Sequence, residues 1–289
     1  MIKTIAIDMD GTLLNKMQTV SEENKSAIHK AQEEGIEVII ATGRSFEEAR
    51  YALDKVGLEC PIICVNGAAL FTQEGKVAAS HPMPIASVKN AAEWLEERGI
   101  YFEIYTSKGI FSKNYETAID ALVDVMVTAN QDIDPSQIRK YAEARLQLGH
   151  VTSIADYTEL FDQAELELYK ILGFSTDLQV LDQAASRFKM DEGTAVTSSG
   201  RENVEITSKH AQKGIVLEKY VNEKEGSMQE TMAIGDNYND ISMFERVGLS
   251  VAMGNAPTDI QNLCDEVTGT NEEHGVAKAI LKVLKKTIE

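Results

Sequence analysis

The chain has 289 residues, with 28 Lys and Arg against 46 Asp and Glu, a formal charge of −18 and a pI near 4.7. Nucleic acid is held by dense cationic contacts, so this charge, with no basic stripe, argues against a nucleic-acid partner. A hydrophobic content of 43% and a charged content of 26% exclude disordered and collagen-like classes, and the length suggests about two domains.

The first 80 residues alternate short apolar runs with helical segments, the pattern of strands joined by crossover helices in a parallel sheet. Thr4 to Ile7 is the first strand; Asp8 and Asp10 break it at once, so no secretory signal is expected. Ser21 is an N-cap followed by Glu22 and Glu23, where the helix dipole favours anions, and Gly35 stops that helix before a second strand, Glu37 to Ala41. Ser45 and Glu48 form a capping box for a helix running to about Gly57, and Ile62 to Val65 is a third strand ending in a tight turn at Asn66-Gly67. Pro82 and Pro84 mark a junction. Beyond it come a helix from Ser87 to Arg98, with Trp94 on its apolar side, hairpin material from Ile100 to Phe111, and a helical stretch from Tyr115 to Thr128. An acidic patch at Asp132 to Pro135 and strands at Lys170 to Phe174 and Ala195 to Ser199 complete an α+β insert. The α/β alternation then resumes: helix Lys213 to Tyr220, strand Thr231 to Ile234, helix Asp240 to Val247, strand Leu249 to Met253 and a last helix after Gly275. The expected fold class is therefore α/β, a Rossmann-like parallel-sheet core of residues 1–82 and 208–289 interrupted by an α+β domain of residues 83–207.

No stretch approaches the roughly 18 apolar residues that span a bilayer, so no membrane partner is expected. The cysteines Cys60, Cys64 and Cys264 are odd in number and form no C-x-x-C pair, which argues against a disulfide framework and favours a reducing, cytoplasmic setting. The five histidines are scattered without ligand spacing. A monomer or weak homodimer is expected.

Ligands of open α/β sheets bind beyond the carboxyl ends of the strands, which is where Asp8 and Asp10 stand. Alternation along an extended chain points both side chains the same way. One acid can then attack phosphorus while the other serves the leaving oxygen and later the water, although Asp8 to Thr12 also reads as a solvated acidic turn. Gly235-Asp236-Asn237-Tyr238-Asn239-Asp240 follows another apolar strand and offers hard oxygen ligands suited to Mg2+, or simply helix N-caps. Thr42-Gly43-Arg44 supplies a hydroxyl and backbone N–H groups for phosphoryl oxygens. Lys213 supplies a cation, or is an ordinary surface lysine.

Asp8-Met9-Asp10-Gly11-Thr12-Leu13-Leu14, Thr42-Gly43-Arg44, Lys213-Gly214 and Gly235 to Asp240, in this order, resemble the four motifs of the haloacid dehalogenase superfamily. Within it the chain is most similar to the Cof-type hydrolases, through the large α/β cap between the second and third motifs, Asn66-Gly67, Val251 to Ala256 and Asn271 to Val276. The resemblance implies a sugar-phosphate phosphatase whose nucleophile is Asp8 and whose general acid and base is Asp10. It also implies that Thr42 and Lys213 hold the phosphoryl group, and that Mg2+ is bound by Asp8, the Asp10 carbonyl and Asp236, with support from Asn239 and Asp240. Substrate contacts are expected from Thr42, Gly43, Arg44, Asn66, Gly67 and Glu205. The cap, through residues such as Arg145, Lys170, Arg187 or Arg201, is expected to close over a small phosphorylated metabolite. A phosphomutase or phosphotransferase using the same phosphoenzyme, or a non-catalytic binder of such metabolites, is the alternative.

Overall fold

The computed structural model describes residues 1–113, 115, 119, 123, 134–198 and 201–288. The chain forms two compact units, one of Met1–Ser80 with His210–Glu289 and one of His81–Lys209. The junctions lie two residues from those expected at 82/83 and 207/208.

The first unit begins with β1 (Thr4–Ile7), β2 (Glu37–Ala41) and β3 (Ile62–Cys64), whose residues are buried almost throughout. Such continuous burial is what strands covered on both faces require. Between them lie the helices Glu22–Glu33 and Phe46–Asp54. The Ser21 hydroxyl accepts the Asn24 N–H, and Ser45 and Glu48 close the expected capping box. Val65, Asn66 and Gly67 all take positive φ, so β3 stops at Cys64 and the chain turns sharply. Two strands that the sequence did not signal follow, β4 (Ala69–Phe71) and β5 (Val77–Ser80), which fold back antiparallel on β3. They are short, and Val77 is exposed, so neither carries the buried apolar run that marks the inner strands.

In the second unit the helix Ile85–Glu96 precedes the antiparallel hairpin of β6 (Tyr101–Thr106) and β7 (Gly109–Lys113). Of the helical stretch expected from Tyr115 to Thr128, Tyr115, Ile119 and Val123 are helical and buried; its other residues lie outside the described ones. The helix Pro135–Gln147, unforeseen in the sequence, is capped by Asp134 and leads to β8 (Val151–Ile154), parallel to β7. β9 (Leu168–Phe174), the helix Leu178–Lys189, β10 (Thr194–Thr197) and β11 (Asn203–Ser208) follow. Ser199, expected at the end of β10, lies outside the described residues. The sheet order is β10-β11-β9-β6-β7-β8. Period-two alternation places Phe102, Ile104, Ile171, Val204 and Ile206 in one core with Leu95, Leu181 and Phe188 from the helices. Trp94, on the apolar side of its helix as expected, packs there edge-on against Phe188.

Back in the first unit, the helix Lys213–Glu223 leads to β12 (Thr231–Gly235), β13 (Leu249–Ala252) and β14 (Glu266–Val267), and the helix Gly275–Ile288 ends the chain. The sheet runs β14-β13-β12-β1-β2-β3-β4-β5, parallel from β14 to β3. Ala6, Ile39, Ala41 and Ala233 pack beneath Val216, Leu217 and Tyr220 of the helix that begins at Lys213, so the burial that forms the core also fixes Lys213 at the sheet edge. The expected helix Asp240 to Val247 is a turn of 3-10 helix, Tyr238–Asp240, running into Ile241–Phe244. Among the described residues, no helix is long and apolar enough to cross a membrane.

Candidate active site

Register assembles the site. Ile7 lies beside both Ile40 and Ile234, so the residues after β1, β2 and β12 emerge at one edge of the sheet. Asp8 continues from β1 and donates its N–H to the Ile234 carbonyl at 3.0 Å, while Thr42 donates its N–H to Ile63 at 2.8 Å. The chain order reverses on either side of β1, the arrangement that opens a crevice at the carboxyl ends of strands.

Within that edge Asp8, Asp236 and Asp240 are buried, and ligand oxygens from the three lie within 4.8 Å of one another. Lys213 Nζ donates to Asp8 Oδ1 at 2.6 Å and to Asp240 Oδ1 at 2.8 Å, from a position with no solvent exposure. A lysine at the first residue of a helix faces an unfavourable dipole; two carboxylates offset it here. Asp240 Oδ2 accepts the N–H groups of Asp236 and Asn237 at 3.0 and 3.1 Å, and Asp236 Oδ1 accepts the Thr12 hydroxyl at 2.9 Å. Such closeness needs bare α-carbons. A Cβ on Gly11 would fall 2.4 Å from Asp236 Oδ2, and one on Gly235 would fall 2.5 Å from Asp240 Oδ2.

The electrostatics follow from burial. Desolvation, reinforced by Asp240 and Asp236 and opposed by Lys213, holds the Asp8 carboxyl well above the usual carboxylate range. Burial and Asp240 push Asp236 up to about 7 against the Thr12 hydrogen bond. Burial pulls Lys213 down, but Asp240 and Asp8 outweigh it and hold its ammonium protonated above the ordinary lysine range. Three carboxylates against one ammonium leave two formal negative charges, the amount that a divalent cation neutralises. Hard carboxylate oxygens of this kind suit Mg2+.

Asp10 departs from the expected geometry. Strand alternation ends with β1 at Ile7, and Met9 already lies in a turn, so a period of two does not set the direction of the Asp10 side chain. The Asp10 carboxylate is half exposed and gripped by Arg44, whose Nε donates at 2.8 Å and Nη2 at 2.5 Å. Arg44 Nη2 also donates to Gln18. The Arg44 side chain thus lies on the second acid. The buried Thr42 hydroxyl accepts the Arg44 N–H at 3.2 Å, beside Gly43. Asn66 donates its N–H to the Thr42 carbonyl at 2.9 Å and its Oδ1 accepts from Asn239 Nδ2 at 3.3 Å, with Gly67 against the Gln212 backbone. Asn239 therefore stands beside Asn66, and it joins β3 to the loop after β12.

Glu205 belongs to the second unit, where it is buried and accepts from Lys170 at 3.5 Å and from Thr197 at 3.2 Å. Lys170 also lies 4.2 Å from the centre of the Tyr105 ring. Arg145 makes a two-pronged pair with the buried Glu103 at 2.7 and 2.9 Å, and Arg187 donates to Asn90; Arg201 is exposed. Sequence reasoning missed Gln18 and gave no role to Thr12, Asn255 and Asn271, although these three lie within the segments that carry the resemblance. Thr12 was signalled only by its place after Gly11; the asparagines lie more than 240 residues from their partners in the loop after β1.

A family model described as haloacid dehalogenase-like hydrolase matches residues 5–280. The phosphatase YwpJ of Bacillus subtilis is 35% identical over 285 residues, which cover 98% of this chain and 100% of that one. The 5-amino-6-(5-phospho-D-ribitylamino)uracil phosphatase YwtE of the same organism is 35% identical over 284 residues, 98% of each chain. A solved haloacid dehalogenase-like hydrolase from B. subtilis superposes with a TM-score of 0.89 at 36% identity, over 96% of this chain and 99% of its own.

Proposed function

The chain belongs to the haloacid dehalogenase-like hydrolase family and stands among its phosphatases, and from this premise we propose that it is a Mg2+-dependent enzyme that cleaves a small sugar-phosphate ester through a phosphorylated Asp8. The observation that carries the reading is the Asp8 carboxylate, buried, gripped by Lys213 and grouped with Asp236 and Asp240. A purely structural acid has no need of two more buried acids beside it, because each raises the cost of its charge. The phosphoribityl compound in the name of YwtE supports the substrate class, since its phosphate ends a polyol arm. Three free thiols support a cytoplasmic setting.

In this mechanism an Asp8 oxygen attacks phosphorus as the bond to the leaving oxygen breaks, and the leaving oxygen takes a proton from Asp10. Asp10 then removes a proton from water, which attacks the phosphorus and returns Asp8 as a carboxylate with inorganic phosphate released. Lys213 and the Thr42 hydroxyl hold the phosphoryl oxygens in line, and once Asp10 has given up its proton the Arg44 fork fixes the direction of its carboxylate for the attack by water. Asp8, Asp236 and the Asp10 carbonyl would hold the metal, with Asp240 and Asn239 orienting the loop behind it. Bound there, Mg2+ supplies charge that lets an anionic carboxylate approach an anionic phosphate.

Phosphate release from a panel of sugar phosphates, nucleotides, pyridoxal phosphate and flavin mononucleotide tests this reading. At least one sugar phosphate is expected to be hydrolysed, with a loss of roughly 100-fold or more under chelation. Turnover indifferent to chelator, or phosphate leaving the substrate only when a sugar acceptor is supplied, would overturn it.

A further inference from the structure

The loop after β1 carries Asp10, Gly11 and Thr12 but little regular structure, only isolated bridges from Asp10 to Leu14 and from Leu14 to Val20. From within, the Thr12 and Leu14 N–H groups donate to the Met9 carbonyl at 3.3 and 2.8 Å, and the Leu13 N–H donates to Asp8 at 3.2 Å. Two remote side chains fasten it from outside. Asn255 Nδ2 donates to the Gly11 carbonyl at 2.8 Å, and Asn271 Nδ2 donates to the Leu14 carbonyl at 3.0 Å. The two are linked, because the Asn271 N–H donates to Asn255 Oδ1 at 2.9 Å. These partners fix the Asn255 amide in one orientation, since only its nitrogen can serve a carbonyl and only its oxygen an N–H. Beside them Glu272 accepts the Lys16 N–H at 2.7 Å.

We infer that Asn255 and Asn271 are positioning residues, a clasp that holds the Gly11–Thr12 peptide so that the Asp10 carbonyl and the Thr12 hydroxyl meet Asp236 in a geometry that binds metal. The inference rests on the proposed function for the identity of that metal. The peptide is held at both polar ends, its N–H by Met9 and its carbonyl by Asn255. If it turned, Thr12 would withdraw its hydroxyl from Asp236, and Gly11, too close to Asp236 for any Cβ, would shift against that carboxylate. Neither asparagine is in the acidic cluster, so both act through the loop.

The test uses the full chain as wild type, Asn255→Ala, Asn255→Asp and Asn271→Ala. Mg2+ binding is titrated by calorimetry without substrate, and amide hydrogen exchange is followed at Leu13 and Leu14. Loss of one such hydrogen bond is expected to weaken Mg2+ binding about five- to tenfold, with faster exchange confined to residues 12–14. Asn255→Asp keeps the acceptor for Asn271 but loses the donor to Gly11, so it should behave as Asn255→Ala does. Variants that match wild type in both readouts would overturn the clasp, as would faster exchange spread over the whole sheet. If wild type itself neither binds Mg2+ nor releases phosphate, the proposed function fails, and exchange at Leu13 and Leu14 still decides the clasp.

Discussion

Asp8→Asn is expected to reduce phosphate release by about 10⁴-fold or more, without unfolding the protein. The amide keeps the shape of the carboxylate, yet it is no nucleophile, and losses of this size accompany removal of an attacking group. Stability should move in the opposite direction to activity. Burial and the neighbouring acids make the folded chain hold the Asp8 proton more tightly than the unfolded chain does. Without a cation, ionisation of this group therefore weakens folding as pH rises through and beyond the ordinary carboxylate range. A neutral amide removes that penalty, so in chelator at neutral pH the variant should melt no lower than wild type. Activity surviving in Asp8→Asn would remove the nucleophile from the mechanism; a variant that melts far below wild type would mean that Asp8 serves the fold.

Lys213→Met should damage both activity and fold. The methionine fills much of the same space but leaves Asp8, Asp236 and Asp240 buried with no cation among them. Removing one partner from a buried ionic group costs about 3–5 kcal/mol, and for a protein of this size that lowers the melting temperature by roughly 10 °C. The pH dependence has a definite sign. Because Lys213 holds its proton more tightly folded than unfolded, its stabilisation is fully present below the ordinary lysine range and persists across neutral pH. The deficit in Lys213→Met should therefore shrink as acid protonates Asp236, which burial and Asp240 hold up to about 7, and Asp8, which burial holds well above the usual carboxylate range. Melts recorded in chelator across pH check this, and a variant as stable as wild type at neutral pH would show that the lysine does not balance the cluster. Turnover should fall by about 100-fold or more, as expected for loss of a fixed charge opposite the transferring group.

The parts of the fold that could be read in the sequence were those set by local chemistry. Ser21, the Ser45 and Glu48 box and the apolar runs of β1, β2 and β12 each act within a few residues, and all appear where the chain led one to expect them. The hairpin β4 and β5 escaped notice because edge strands this short and exposed carry no buried run, and their pairing depends on the turn at Asn66. The same distinction divides the site. Asp8, Asp236 and Lys213 follow or begin strongly patterned elements, so their meeting point can be reasoned from topology. The turn that gives Asp10 to Arg44 begins one residue beyond Asp8, where a period-two argument no longer applies. Lys170 with Glu205 and Arg145 with Glu103 were visible only as charges; their burial against one another arises from the pairing of β6, β9 and β11 and the docking of the helix Pro135–Gln147.

The most direct measurement is to trap the phosphorylated enzyme. An acyl phosphate on an aspartate is reduced by borohydride to homoserine, whereas a free carboxylate is not. Wild-type enzyme turning over a sugar phosphate with Mg2+, treated with borohydride and digested, is predicted to yield a peptide with homoserine at position 8, and none when substrate or metal is withheld. Steady hydrolysis with an unmodified Asp8, or with the reduced residue at another position, would contradict the assignment of Asp8 as the nucleophile.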